Sequence, residues 1–362
     1  MKHKTLIFLI FGLAIMGVML YFIGIQEVIN ALKLANFWFI LLAIFMQIFT
    51  YYLFALRWNI VNKVANINVS IKNLLPMVLV GLAINNITPS GRGGGEPVRA
   101  YILAKKTDNP SEEAFATVIA DRALDTFPFI LLAIITIVSM ILYFSLDPIV
   151  LVALIVSVVG ITALFALLIY MSINKKAGEK IRKWIVKLIY FFYKKIPLDE
   201  LEETVVKAIS GFQKTMKSMI RDKNMLYYAL PLSFLIWFTE IIRVFFVFLA
   251  FGVPVNPIVI GVVFIVASLI GMIPLLPGGL GAVEGVMIWI FSFTGTNVST
   301  SIIAAATVIE RLISFWMTTI IGLIILPHYG VSVLDKISST SINEEETVKE
   351  IIDELEYIDE NE

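Results

Sequence analysis

Apolar residues run almost unbroken near 5–25, 37–57, 127–146, 148–171, 226–251 and 301–326. Each run is close to the roughly 20 residues that an α-helix needs to cross a bilayer. The pattern predicts six spanning helices, the first kept as a retained span because no small-residue cleavage site marks it. Two more apolar pieces, near 74–88 and 257–276, run straight into Pro/Gly-rich sequence. Broken backbone at membrane depth is tolerated only where protein or a wet cavity satisfies its polar groups.

The two breaks are versions of one motif. Pro89-Ser-Gly-Arg-Gly-Gly-Gly-Glu96 is followed by Ala116-Thr-Val-Ile-Ala-Asp-Arg122, and Pro277-Gly-Gly-Leu-Gly-Ala-Val-Glu284 by Ala306-Thr-Val-Ile-Glu-Arg311. In each the glutamate lies seven residues after the proline. Arg122 and Arg311 follow the glutamates by 26 and 27 residues, and Arg57 and Arg243 precede them by 39 and 41. Paired interrupted segments in two halves of a membrane chain point to a transporter's substrate site.

Charge in the loops sets the expected topology. The linker at 172–224 carries 13 Lys/Arg against six acidic residues, and the N-terminus is basic. The positive-inside tendency places both on the cytoplasmic side only if each motif piece enters the membrane and returns. The expected fold is therefore an all-α polytopic membrane protein with about six transmembrane helices and two re-entrant hairpins. The hairpins belong to inverted repeats at about 37–146 and 226–326, within a membrane domain at 1–328. Both termini are then cytoplasmic. The stretch from Lys180 to Lys195 puts Ile181, Trp184, Ile185, Leu188 and Phe192 on one helical face, which suits a headgroup-layer helix or a cover over the bundle ends. The segment 329–362 reads as an acidic cytoplasmic tail.

Composition removes several kinds of chemistry. The chain is 59% hydrophobic with no cysteine and a mean hydropathy of +0.90. Its histidines, His3 and His328, sit at or beyond the ends of apolar runs. Disulfides, thiolate metal sites and a Ser-His-Asp triad are not expected. Neither a catalytic residue, a metal, a cofactor nor a nucleic-acid partner is predicted. Membrane lipids are the expected partners, and a homo-oligomer is compatible with the sequence. Trp38, Trp58, Trp237 and Trp289 read as interface anchors or lipid-facing packing.

Ionisable groups inside a membrane normally face a cavity and find partners. The candidate substrate-binding residues are Arg92, Glu96, Arg99, Asp121, Arg122, Asp125, Glu284, Glu310 and Arg311. Glu240 and Arg243, three residues apart, are expected to neutralise each other. The glycines expose backbone N–H groups beside arginine, which suits an anionic headgroup. A phosphate is expected at Arg92, Arg99 and Arg122, with an amine or hydroxyl at the glutamates.

These motifs, together with Asp121-Arg-Ala-Leu-Asp125, resemble the lysylphosphatidylglycerol synthase transmembrane family. That is the flippase-like membrane domain of the bacterial multiple peptide resistance factor, found alone in many archaeal and bacterial chains. The likeness runs from about residue 5 to 328. It implies a protein that moves lipid headgroups between leaflets, with Arg92, Glu96, Arg99, Asp121, Arg122, Glu284 and Arg311 lining the lipid cavity. This chain stops in an acidic tail where aminoacylating relatives carry a soluble transferase domain, so lysyl transfer is not expected of it. The readings to be weighed are a lipid or lipid-linked-sugar translocase, a membrane-embedded transferase or its non-catalytic partner, and a small-solute or ion-coupled transporter.

Overall fold

The computed structural model describes residues 25–329, except 89–92, 144–147, 175, 181–182, 185, 187–197, 254, 272–278 and 294–298. The predicted span at 5–25, Arg92, most of the Lys180–Lys195 stretch and the acidic tail lie outside the described residues. Every regular element among the described residues is helical. In chain order they are α1 (Ile25–Lys33), α2 (Phe37–Val64), α3 (Ile71–Ile87), α4 (Gly95–Thr107), α5 (Ser111–Tyr143), α6 (Pro148–Ile173), α7 (Leu198–Arg221), α8 (Leu230–Ala250), α9 (Pro257–Gly271), α10 (Ala282–Phe293), α11 (Thr300–Arg311) and α12 (Thr318–Ile325). One π-turn, Met225–Ala229, leads into α8, and another, Leu312–Met317, joins α11 to α12.

Among the described residues, four helical stretches are long and apolar enough to cross a membrane: Phe37–Val64, Ser111–Ser139, Met225–Ala250 and Thr300–Tyr329. The predicted run at 148–171 is also helical, as the 26-residue α6. Local sequence explains the boundaries. The Asn36 side chain caps α2 by accepting from the Trp38 N–H at 3.0 Å, which satisfies one of the four orphan donors of a helix start. In α4, Glu96 stands in the first turn and Lys105 and Lys106 in the last, each complementing the helix dipole. Its C-cap, Asp108, adopts φ +55, the left-handed conformation that short polar residues tolerate.

One predicted boundary moves. The span expected from 127 begins at Ser111 and runs through Pro128 to Tyr143, because the Ala-Thr-Val-Ile-Ala-Asp-Arg segment joins it in one helix. Its counterpart in the second half relaxes into the π-turn directly after Arg311.

The elements pack as two sets. The end of α2, α3, α4, the start of α5, part of α7 and the end of the described chain share one apolar core around Trp58, Met77, Leu103 and Met219. A second core, around Phe248, Ile260, Phe291 and Ile303, gathers α8, α9, α10 and α11. α3 lies against α4 and α9 against α10, so each motif sits at the turn of a helix–break–helix hairpin. The first hairpin is closed by glycine: a Cβ on Gly95 would stand 2.0 Å from the Gly81 carbonyl oxygen. The second bends through Gly279 and Gly281, at φ +69 and +83, a conformation that costs other residues strain. Between the sets, α2 and α8 pack along each other.

Two tryptophans depart from expectation. Trp58 is fully buried and donates from Nε1 to Thr117 at 3.2 Å. Trp237 is buried between Phe129 and Phe264, 5.5 and 5.8 Å between ring centroids. Each is placed by partners from other helices, which a span's own hydropathy does not record. Trp38 and Trp289 are exposed.

Candidate functional site

The α2–α8 contact organises the site. Arg57 of α2 donates from Nη1 to Ser233 Oγ of α8 at 2.9 Å. Arg243 of α8 donates from Nη1 to Gln47 Oε1 of α2. Ser233 lies ten residues before Arg243, and Gln47 ten before Arg57. Thr50 and Thr239 meet between these bonds, 2.9 Å apart. The helices therefore run antiparallel and exchange equivalent hydrogen bonds, the pattern of contacts about a two-fold axis.

From this crossing each half builds a similar set of ion pairs. In the first, Arg57 Nε meets Asp121 Oδ1 at 2.8 Å, and its Nη1 and Nη2 grip Asp125. Arg122 Nε holds Glu96 Oε1 at 2.5 Å. In the second, Arg243 Nη2 holds Glu310 Oε1 at 3.0 Å, and Arg311 Nε holds Glu284 Oε1 at 2.6 Å. Arg243 reaches Glu240 only at 4.0 Å, so its principal partner is Glu310 from another helix rather than its own neighbour.

The motif glutamates are held at the starts of α4 and α10. Asn85 of α3 accepts from the Gly95 N–H at 2.6 Å and donates to Glu96 Oε1 at 3.2 Å. Glu284 Oε2 accepts from the Gly281 N–H at 2.6 Å, as the third helical residue does when it caps its own helix start. Both of its oxygens are thereby satisfied. Glu96 Oε2 is buried and has no hydrogen-bond partner among the described residues.

Between the halves lies a cavity of about 510 Å³. Glu96, Arg122, Asp125, Glu310 and Arg311 of the predicted set line it. Arg99, Asp121 and Glu284 do not; they stand behind as partners of the arginines and carboxylates in front. Arg99 donates to Asp121 at 2.9 Å and lies over the Trp58 ring, 4.1 Å to its centroid, so it is not placed to meet a phosphate in the cavity. Arg92 lies outside the described residues. The cavity also takes in Arg243 and Glu240, read from the sequence as a pair, and Gln47, Asn85, Asn86 and Ser314, which the motif pattern did not single out. Their signal was present: an amide inside an apolar run, such as Gln47 or the Asn85-Asn86 pair, is costly in lipid and normally meets a partner. Phe54, Leu82, Phe129, Trp237, Phe264 and Met287 complete the lining.

The mixed lining, the hairpins and the ion pairs fit a membrane domain, and sequence comparison gives its family. Residues 8–322 match the lysylphosphatidylglycerol synthase TM region. The chain belongs to that family. It is similar to a UPF0104 membrane protein of Methanothermobacter thermautotrophicus, 50% identical over 93% of this chain and 99% of that one. A UPF0104 membrane protein of Methanocaldococcus jannaschii is 33% identical over 89% of this chain and 93% of its own length. Glycosyltransferase AglD of Haloferax volcanii is 23% identical over 63% of this chain and 39% of that protein. This chain is thus a multi-pass membrane protein of a lipid-related family.

Proposed function

We propose that the chain is a flippase-like translocase for membrane lipids or lipid-linked headgroups, with its substrate held between two inverted halves. On this reading the motif hairpins re-enter the cell membrane from opposite sides, and both termini are cytoplasmic. The observation that carries the proposal is the amphipathic lining of the central cavity. Charged and amide side chains share the lining of one space with phenylalanine, leucine, methionine and tryptophan. A hydrophilic solute gains nothing from those apolar groups, whereas a lipid offers a headgroup to the polar ones and chains to the apolar ones. The equivalent hydrogen bonds between antiparallel α2 and α8 support the inverted repeat, which alternating access uses to present one site to two sides.

The test is leaflet exchange of fluorescent lipids in proteoliposomes, scanning headgroups. Exchange above the protein-free rate, lost in Arg122→Gln at normal yield, is expected; its absence for every headgroup rejects the translocase. Topology is tested separately by single cysteines at Lys105, Ser218, Asp147 and Thr296, since the native chain has none. The first two should resist an impermeant thiol reagent in intact cells and the last two should react. The likeness to Glycosyltransferase AglD favours a second reading, a partner protein presenting lipid-linked donors. That reading predicts binding of such lipids without exchange.

A further inference from the structure

α7 presents two different faces. Phe212, Met216 and Met219 pack into the first core, and the helix lies on α5 and α6. Lys207, Lys214, Lys217 and Arg221 are exposed. Their spacings of seven, three and four residues place them on one helical stripe. No carboxylate among the described residues pairs with them. Val206 and Ile220 are exposed beside the stripe. The face therefore combines four unpaired cations with apolar surface.

The end of the described chain identifies an occupant. Leu326 and Tyr329 pack in the same apolar core as Met216 and Met219 of α7, so the chain leaves the core on which the basic helix also packs. The following 33 residues, 330–362, carry eleven acidic residues against two lysines. Within them Ile351, Ile352, Leu355 and Ile358 are interspersed among the carboxylates. The segment thus offers both the charge and the apolar groups that the exposed face of α7 lacks.

We propose that the acidic C-terminal segment, centred on residues 350–360, docks on the basic face of α7. Some 20 residues of chain separate Tyr329 from this stretch, and a coil of that length has an end-to-end reach of about 25 Å. It holds the segment at an effective concentration on the order of millimolar, so even a weak electrostatic contact is occupied. The docked segment would keep the stripe from the anionic headgroups that otherwise attract exposed lysines. Docking is independent of whether the cavity moves lipid.

The experiment uses the full chain in phosphatidylcholine nanodiscs, with Lys214→Cys and Glu354→Cys introduced into the cysteine-free background. Oxidation should trap an intramolecular disulfide at low salt. The cross-linked fraction should fall to background in about 1 M NaCl, where the screening length drops to roughly 3 Å. It should fall likewise in the Lys207→Gln, Lys217→Gln, Arg221→Gln variant at low salt. Phe45→Cys, exposed on α2, paired with Glu354→Cys, should stay at background throughout. Cross-linking indifferent to salt and to the neutralised stripe overturns the proposal. So does complete displacement by phosphatidylglycerol nanodiscs, which would give the stripe to the leaflet instead.

Discussion

The two halves of the molecule start from one pattern and end in different states. In the second, Glu284 has both oxygens engaged, by Arg311 and by the Gly281 N–H. In the first, Glu96 shares one oxygen between Arg122 and Asn85 and leaves the other buried without a partner among the described residues. Arg122 keeps 31% of its side-chain surface exposed, Arg311 only 7%. The first half compensates behind the cavity, where Arg57 joins two carboxylates and Asp121 joins two arginines. Arg243 holds one carboxylate closely. Related sequence has thus produced one hairpin with a braced scaffold and a less satisfied glutamate in the cavity, and another whose glutamate is locked behind it. On the proposed translocase reading, the difference gives substrate contact first to Glu96 and a holding role to Glu284.

The largest effect should come from the brace. Arg57→Ala leaves Asp121 and Asp125 without their principal cation, and breaking a buried ion pair costs about 3–5 kcal/mol. Thermal unfolding in detergent should show a clearly larger loss than for Arg243→Ala. Equal losses would remove the asymmetry.

Gly95→Ala should follow, at about 3 kcal/mol, because the new methyl meets the Gly81 carbonyl rather than a movable side chain. Gly81→Ala meets the Arg99 side chain at 2.5 Å and should cost less, since a side chain can shift where backbone cannot. The reverse order would place the tight contact elsewhere.

The glutamates sharpen the contrast through function. Glu284→Gln gives up a charged pair with both oxygens in use and should cost about 2 kcal/mol. Glu96→Gln should cost about 1 kcal/mol while abolishing leaflet exchange. If Glu96→Gln exchanges lipid normally, its unpartnered oxygen has no part in transport.

The smallest effect belongs to Gly261 in α9, where an added Cβ meets nothing within 4 Å. Gly261→Ala should raise stability by about 0.5–1 kcal/mol through helix propensity alone. A marked loss would mean that another surface packs on that helix face.

Much of this arrangement was legible beforehand. Long apolar runs need helices in lipid, so the long spans follow from length and hydropathy. The glycine breaks stand out because few backbones can bend there. The repeated spacing from Arg57 to Glu96 to Arg122, and from Arg243 to Glu284 to Arg311, named most of the ionic network. The partners were less legible. Glu240 and Arg243 are neighbours on one helix, yet Arg243 turns to Glu310, whose closer geometry and deeper burial make the stronger pair. Trp58 and Trp237 read as interface residues because aromatic type alone does not say whether lipid, a guanidinium or another ring lies opposite.

By itself the sequence determined the family, the all-helical membrane character and the glycine breaks between paired helices. These depend on local composition and spacing along one chain. The tertiary structure alone decided which arginine holds which carboxylate, that Arg99, Asp121 and Glu284 stand behind the cavity, and that the two glutamates differ. Such choices depend on distances between helices far apart in the chain, 68 residues for Arg57 and Asp125 and 67 for Arg243 and Glu310. A shift of an ångström or two there reassigns a hydrogen bond without changing the hydrophobic pattern of either helix.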